Sequence, residues 1–167
     1  MPKPFNRAAL AAPRADPLAL LAGVLLPLAF APLALFPLAV LAPALLFLLW
    51  LDVTPARALW RGFLFGLGQF GVGVSWVYVA IHDFGHSGIP LALFLTALFV
   101  GTLALYPALL GFLAARFLRA SDGLRLALLF PAAWTLVEWF RGWFLTGFPW
   151  LNLGYSQIDA PLRGFAP

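Results

Sequence analysis

Residues 84–115 read FGHSGIPLALFLTALFVGTLALYPALLGFLAA, without a formal charge. A helix needs about 20 residues to cross the hydrocarbon core of a bilayer. This one run exceeds that length, so its natural solvent is lipid. Gly101, Pro107 and Gly111 lie within it and can kink or shorten the helix. Further apolar runs lie on either side, at Gly62 to His82 and from Leu126 past Glu138 toward Trp143. Nearer the N-terminus, no formal charge falls between Asp16 and Asp52. Pro27, Pro32 and Pro37 divide that stretch, which predicts a hairpin of two short arms turning between Pro32 and Pro37. Each arm has about 15 residues, or ~22 Å of helix, so it spans thinly or re-enters from one face.

The expected fold is therefore an all-α, polytopic transmembrane helix bundle of about five spans. They are placed near Leu18 to Ala31, Leu38 to Leu51, Leu59 to Ile81, Pro90 to Leu118 and Leu124 to Leu145. Residues 1–17 read as a cytoplasmic N-terminal segment and 18–145 as the bundle. Residues 146–167 read as a periplasmic, interfacial loop leading toward a further span. Composition agrees: of 167 residues, 63% are hydrophobic and 10% charged, against roughly 25% charged in soluble domains. The net charge is +4, but the basic residues are scattered and form no patch for nucleic acid. No cysteine occurs, which removes disulfides, thiolate metal sites and a cysteine nucleophile from this chain.

Orientation follows from the basic residues. With the N-terminus inside, Lys3, Arg7, Arg14, Arg57, Arg61, Arg116, Arg119 and Arg125 are cytoplasmic, and only Arg141 and Arg163 lie outside. That bias predicts an N-in, C-out topology.

Few residues suggest chemistry. Gly62, Gly66, Gln69, Gly73 and Trp76 share one helical stripe and predict a packing face, with Gln69 hydrogen-bonding across it. His82, Asp83 and His86 sit in the loop HDFGHSG. They are metal-ligand types, but a solvated turn explains them and no metal is assigned. Glu138 is the only acidic residue within an apolar span, with Arg141 three positions on, which predicts an i, i+3 ion pair near the outer interface. Trp134, Trp139, Trp143 and Trp150 fit an interfacial aromatic belt. After Arg141, Gly147, Pro149, Gly154 and Pro161 set turns among apolar residues mixed with Asn152, Ser156 and Gln157. A nonpolar, turn-rich surface of this kind can receive a lipid chain or contact another domain.

That last stretch, VEWFRGWFLTGFPWLNLGYSQIDAPLRGFAP at Val137 to Pro167, resembles the membrane portion of apolipoprotein N-acyltransferase. LAFAP at Leu28 to Pro32, SWVYVAIHDFG at Ser75 to Gly85 and ALYPALL at Ala104 to Leu110 add to the resemblance. It implies a bacterial inner-membrane enzyme, multi-pass, with its active side periplasmic. Such an enzyme moves an acyl chain from a phospholipid donor to the N-terminal amino group of a diacylated apolipoprotein. The resemblance also implies a nitrilase-like domain with a Glu, Lys and Cys catalytic set working through a thioester. None of that set maps onto this chain, so no catalytic residue and no cofactor is assigned here. Membrane lipid is the expected surrounding and phospholipid the expected ligand. The candidate lipid-binding residues are Gly147, Pro149, Trp150, Tyr155 and Gln157. The rival reading is a noncatalytic membrane module, a small transporter or lipid-binding subunit, which predicts paired polar groups at the midplane and discontinuous helices.

Overall fold

A computed structural model describes residues 7–158, 160 and 163–165. Lys3, Asp159 and Pro161 lie outside the described residues. Those residues are mainly helical and contain no strand: α1 (Arg7–Ala11), α2 (Asp16–Leu25), α3 (Leu38–Leu49), α4 (Pro55–Gly73), α5 (Trp76–Val79), α6 (Ile89–Phe117), α7 (Asp122–Leu124) and α8 (Phe130–Arg141). A π-helical turn at Arg125–Leu129 joins α7 to α8, giving one apolar run from Asp122 to Arg141.

The start signals are local. Thr54 caps α4, its hydroxyl accepting from the Arg57 amide at 3.3 Å, and Pro55 opens the helix. Pro17 and Pro90 stand at the first turns of α2 and α6, where a missing N–H costs nothing, whereas Pro131 lies within the run from Asp122 to Arg141, directly after its π-helical turn. The prolines between α2 and α3 act as expected, and the chain turns between Ala31 and Pro37.

Two helical runs are long and apolar enough to cross a membrane, α6 and Asp122 to Arg141. A third qualifies if Pro55–Gly73 and Trp76–Phe84 are taken together, although they meet at a bend of 54°. The expected third span is thus broken near Val74 and Ser75. At 10 and 12 residues, α2 and α3 are shorter than the ~20 that a full crossing needs. Large apolar side chains on α6, among them Leu93, Phe94, Leu98, Leu109 and Phe117, are exposed. A helix apolar all round with an uncovered face is suited to lipid.

The central helix is α4, which packs most extensively against α6 and then against α2. The predicted stripe does pack: a Cβ on Gly62 would overlap Pro107, and one on Gly66 would stand 2.6 Å from Ala104 Cα. A second small-residue face was not anticipated. A Cβ on Gly68 would stand 2.5 Å from the Leu20 carbonyl oxygen, and one on Gly23 would overlap Phe65. Glycine on both sides lets α4 approach two backbones at once. Aromatic rings fill the space toward α3 and α8, with Trp50 edge-on to Phe130 at 6.0 Å and Phe65 edge-on to Trp134 at 5.7 Å. The Trp50 indole N–H donates to the Ala58 carbonyl at 3.0 Å. Trp134 is accordingly buried rather than part of a belt, whereas Trp139 and Trp143 are exposed.

Arg61, expected at the cytoplasmic end of the third span, is completely buried. Its Nε donates to Asp16 Oδ1 at 2.8 Å, its Nη1 to the Leu49 carbonyl at 2.6 Å, and its Nη2 to the Ala12 carbonyl at 2.8 Å. Arg57 donates to the other Asp16 oxygen. The Leu49 carbonyl ends α3 and has no intrahelical partner, so one guanidinium joins the ends of three helical segments.

Candidate functional site: an apolar groove at the end of the bundle

The helix α8 stops at Arg141, and the chain then takes a conformation that most residues avoid. Leu145, Thr146 and Gly147 have φ of 51°, 74° and 82°, and Leu151 has φ 61°. Each non-glycine residue in this region costs roughly 1–2 kcal/mol. Gly147 has a second requirement, since a Cβ there would overlap the Gly142 carbonyl.

What holds this path is Arg141, only 3% exposed. Its Nη1 donates to the carbonyls of Phe148 and Trp150, both at 2.7 Å, and its Nη2 to Asn152 Oδ1 at 2.6 Å. Phe70 lies beneath the guanidinium, 5.3 Å from ring centroid to Cζ. Glu138 accepts the Leu153 amide at 3.0 Å. The expected Glu138–Arg141 ion pair is therefore not formed among the described residues. Both side chains turn instead to the returning strand of chain, whose carbonyls and amide would otherwise face apolar surroundings without partners.

The same segment seals the break in the third span. Trp150 Nε1 donates to the Gly73 carbonyl at 3.1 Å, a group left free where α4 ends. The Trp150 ring meets Trp76 at 5.5 Å. Leu151 is buried, and a Cβ on Gly73 would collide with it. The predicted stripe thus ends differently: Gly73 receives Leu151, and Trp76, beyond the bend, belongs to the surface.

These contacts leave a groove of about 770 Å³. One wall is the turn after α2, with Phe30, Pro32 and Leu33; the other carries Trp76, Trp150 and Tyr155. Among the described residues, no histidine, carboxylate or lysine lines it. Its volume is in the range of small-molecule and lipid sites. Its chemistry is that of a binding surface: apolar walls, with the Tyr155 hydroxyl as a polar tip.

The chain matches the family described as "Apolipoprotein N-acyltransferase N-terminal domain" over residues 22–167. The chain belongs to the apolipoprotein N-acyltransferase family. It is 53% identical over 150 residues to the apolipoprotein N-acyltransferase of Methylococcus capsulatus, 54% over 151 to that of Coxiella burnetii and 53% over 151 to that of Azotobacter vinelandii. Each match covers 90% of this chain but only 30%, 31% and 29% of the relative. The chain thus spans about a third of the length of the curated relatives it matches.

Against this family's N-terminal domain, the sequence-derived candidates fall into two groups. Pro149, Trp150 and Tyr155 line the groove together. Gly147 does not line it but permits the turn that leads into it. Gln157 lies outside the lining, its Nε2 donating to Ser156 Oγ at 2.8 Å. Sequence reasoning missed the wall from Phe30 to Leu33 and the organising role of Arg141. For the wall a signal existed, because LAFAP is one of the stretches carrying the family resemblance, though no role followed from it. His82 and Asp83, expected in a loop, lie instead in a π-helical turn at Ala80–Phe84, where His82 Nδ1 stands 2.7 Å from the Ser87 carbonyl. Among the described residues, no three His, Cys, Asp or Glu side chains gather as metal ligands.

Proposed function

We propose that this chain supplies the membrane part of an enzyme that transfers an acyl chain from a phospholipid to the N-terminal amino group of a diacylglyceryl-cysteine apolipoprotein. The groove walled by Phe30, Trp76, Trp150 and Tyr155 receives a lipid chain during that transfer. In this reading the N-terminus is cytoplasmic and the groove lies on the periplasmic side of the bacterial inner membrane. Residues 18–145 form the bundle and 146–167 the interfacial segment beside the groove. Bond-making belongs to a nitrilase-like part encoded in the remaining length of the relatives. A thioester route needs a cysteine thiolate, and this chain has no cysteine. This chain by itself is therefore inactive in transfer.

The observation that carries the reading is the groove itself. An open apolar space of about 770 Å³ lies where the segment GFPWLNLGYSQ at 147–157 folds back on the bundle. Trp150 is fixed on one side by Gly73 and Trp76 and exposed on the other, so its free face is available to an acyl chain.

Replacing Trp150 with Ala in the intact polypeptide that carries this sequence tests the assignment. Acyl-enzyme formation or transfer per folded molecule should fall about tenfold or more, the equivalent of about 1.4 kcal/mol of lost transition-state or substrate binding. Abundance in the membrane should change less. Normal transfer in folded Trp150→Ala protein would return the residue to a purely anchoring role.

A further inference from the structure

Between α6 and the end of α8 lies a second apolar groove, of about 360 Å³, which shares no lining residue with the first. Leu105, Leu109 and Leu113 form one wall, and Val137, Phe140 and Phe144 form the other. Tyr106 joins the two, its ring centroid 6.4 Å from that of Phe140. At one end the Thr102 hydroxyl donates to the Leu98 carbonyl at 2.8 Å, so this proton is not offered to the groove. The three leucines are about half exposed, on a helix long and apolar enough to cross a membrane.

The other end is cationic. Thr102, Leu105, Leu109, Leu113 and Arg116 follow the spacing of one helix face, which sets Arg116 about one turn beyond Leu113 at the mouth of the groove. Arg116 and Arg119 are exposed. The Arg116 guanidinium lies 5.5 Å from the Phe117 ring centroid, and neither arginine joins an ion pair among the described residues. The next carboxylate along the chain, Asp122, stands 3.6 Å from Arg125. Because the C-terminal end of α6 itself carries partial negative charge, attraction for an anion here comes from the two guanidiniums.

A groove with apolar walls and a cationic mouth is complementary to an acyl chain that ends in a phosphate headgroup. Fourteen positions separate Arg116 from Thr102, or ~21 Å of helix, and the hydrocarbon of one leaflet is ~15 Å deep. Free phosphate would use only the mouth, and an uncharged lipid only the walls. We propose that this groove binds one anionic phospholipid of the leaflet at the Arg61 end. An acyl chain lies along Leu113, Leu109 and Leu105, with the phosphate at Arg116 and Arg119. The mouth belongs to that end because Gly111 meets the Ala58 carbonyl near the start of α4, whereas Trp150 bonds Gly73 at its finish. The inference stands whether or not the groove at Trp150 receives lipid.

Native mass spectrometry of the intact polypeptide, titrated in detergent with palmitoyl-oleoyl phosphatidylglycerol, gives the first measurement. Arg116→Gln should weaken one phospholipid adduct about fivefold. Leu109→Trp fills the groove, keeps the charge and should weaken the same adduct by a similar factor. Inorganic phosphate should not displace it. An adduct that phosphate displaces, or that only one variant or neither weakens, would overturn the proposal. Cryo-electron microscopy of the unsubstituted protein in phosphatidylglycerol nanodiscs locates the lipid without relying on either variant to fold. A tube of density along Leu105 to Leu113 that reaches Arg116 is expected. A protein helix seated in the groove, or no ordered lipid there, would refute the assignment.

Discussion

Two arginines are buried at opposite ends of this bundle, and they do different work. Arg61 and Gly73 are twelve positions apart on α4, or ~18 Å along the helix axis; Arg61 lies toward one end and the groove toward the other. Arg61 bonds Asp16 and Ala12, 45 and 49 positions away, and the end of α3 at Leu49, and so fastens helices to one another. Arg141 bonds Phe148, Trp150 and Asn152, all within the next eleven residues, and so gives one segment its shape. The Arg61 guanidinium has a carboxylate partner, shared with Arg57. Arg141 is met by carbonyl oxygens and an amide oxygen, while the nearby carboxylate of Glu138 serves a backbone amide. The comparison separates a charge that stabilises the whole fold from one that organises a local surface. The discriminating quantity is whether the partners belong to several other helical segments or to the one segment that follows.

The largest expected effect comes from breaking the first of these. Arg61→Leu leaves Asp16 with Arg57 alone, strips the Leu49 carbonyl of its guanidinium donor and leaves the Ala12 carbonyl with only the Ala15 amide. Loss of one partner of a buried ion pair costs about 3–5 kcal/mol. Folded, monodisperse protein after detergent extraction should fall severely, and heating should unfold the remainder well below the parent. Recovery of normal thermal stability in Arg61→Leu would show that the node is not a fastening point.

Arg141→Lys should do less to the fold and more to the groove. An ammonium keeps the charge but lacks the planar fork that reaches Phe148, Trp150 and Asn152 together. Two of the three acceptors lose their donor, and the strained path through Leu145 and Thr146 loses its brace. Protease cleavage between 144 and 152 should accelerate, while the melting temperature of the bundle changes by a smaller amount than in Arg61→Leu. If both variants lowered thermal stability equally and left the segment protected, the distinction between the two arginines would collapse.

The long apolar elements were legible because membrane spans are written in composition. The helices α6 and α8 fall close to the charge-free runs, and the proline-marked turn after α2 falls where the prolines stand. The break between α4 and α5 was not legible. No proline marks Gly73 to Ser75, and the interactions there come from Trp150 and Leu151, almost eighty residues later. Arginine counting treats every basic residue as a loop charge, so it could not reveal that Arg61 and Arg141 are buried. Trp134 misled for a similar reason, because ring type alone does not separate a belt residue from a core one. The groove was half visible: Pro149, Trp150 and Tyr155 share a segment, whereas the Phe30 wall reaches them only through tertiary packing.

The smallest effect should come from Glu138, and it sharpens the comparison by isolating the carboxylate from its geometry. Its carboxylate accepts the Leu153 amide, and Gln offers a carbonyl oxygen of nearly the same reach. Glu138→Gln weakens a charge-assisted bond to a neutral one, a change on the order of 1 kcal/mol. Glu138→Leu removes the acceptor altogether and leaves the Leu153 N–H unmet, which costs about 1–3 kcal/mol. Hydrogen exchange at the Leu153 amide reads this directly. Exchange should rise slightly in Glu138→Gln and strongly in Glu138→Leu, with protection on α2 and α3 unchanged in both. If Gln and Leu raised Leu153 exchange alike, charge rather than an acceptor would be what Glu138 supplies. Its place beside Arg141 would then be electrostatic, and the two ends of the bundle would differ less than their hydrogen bonds imply.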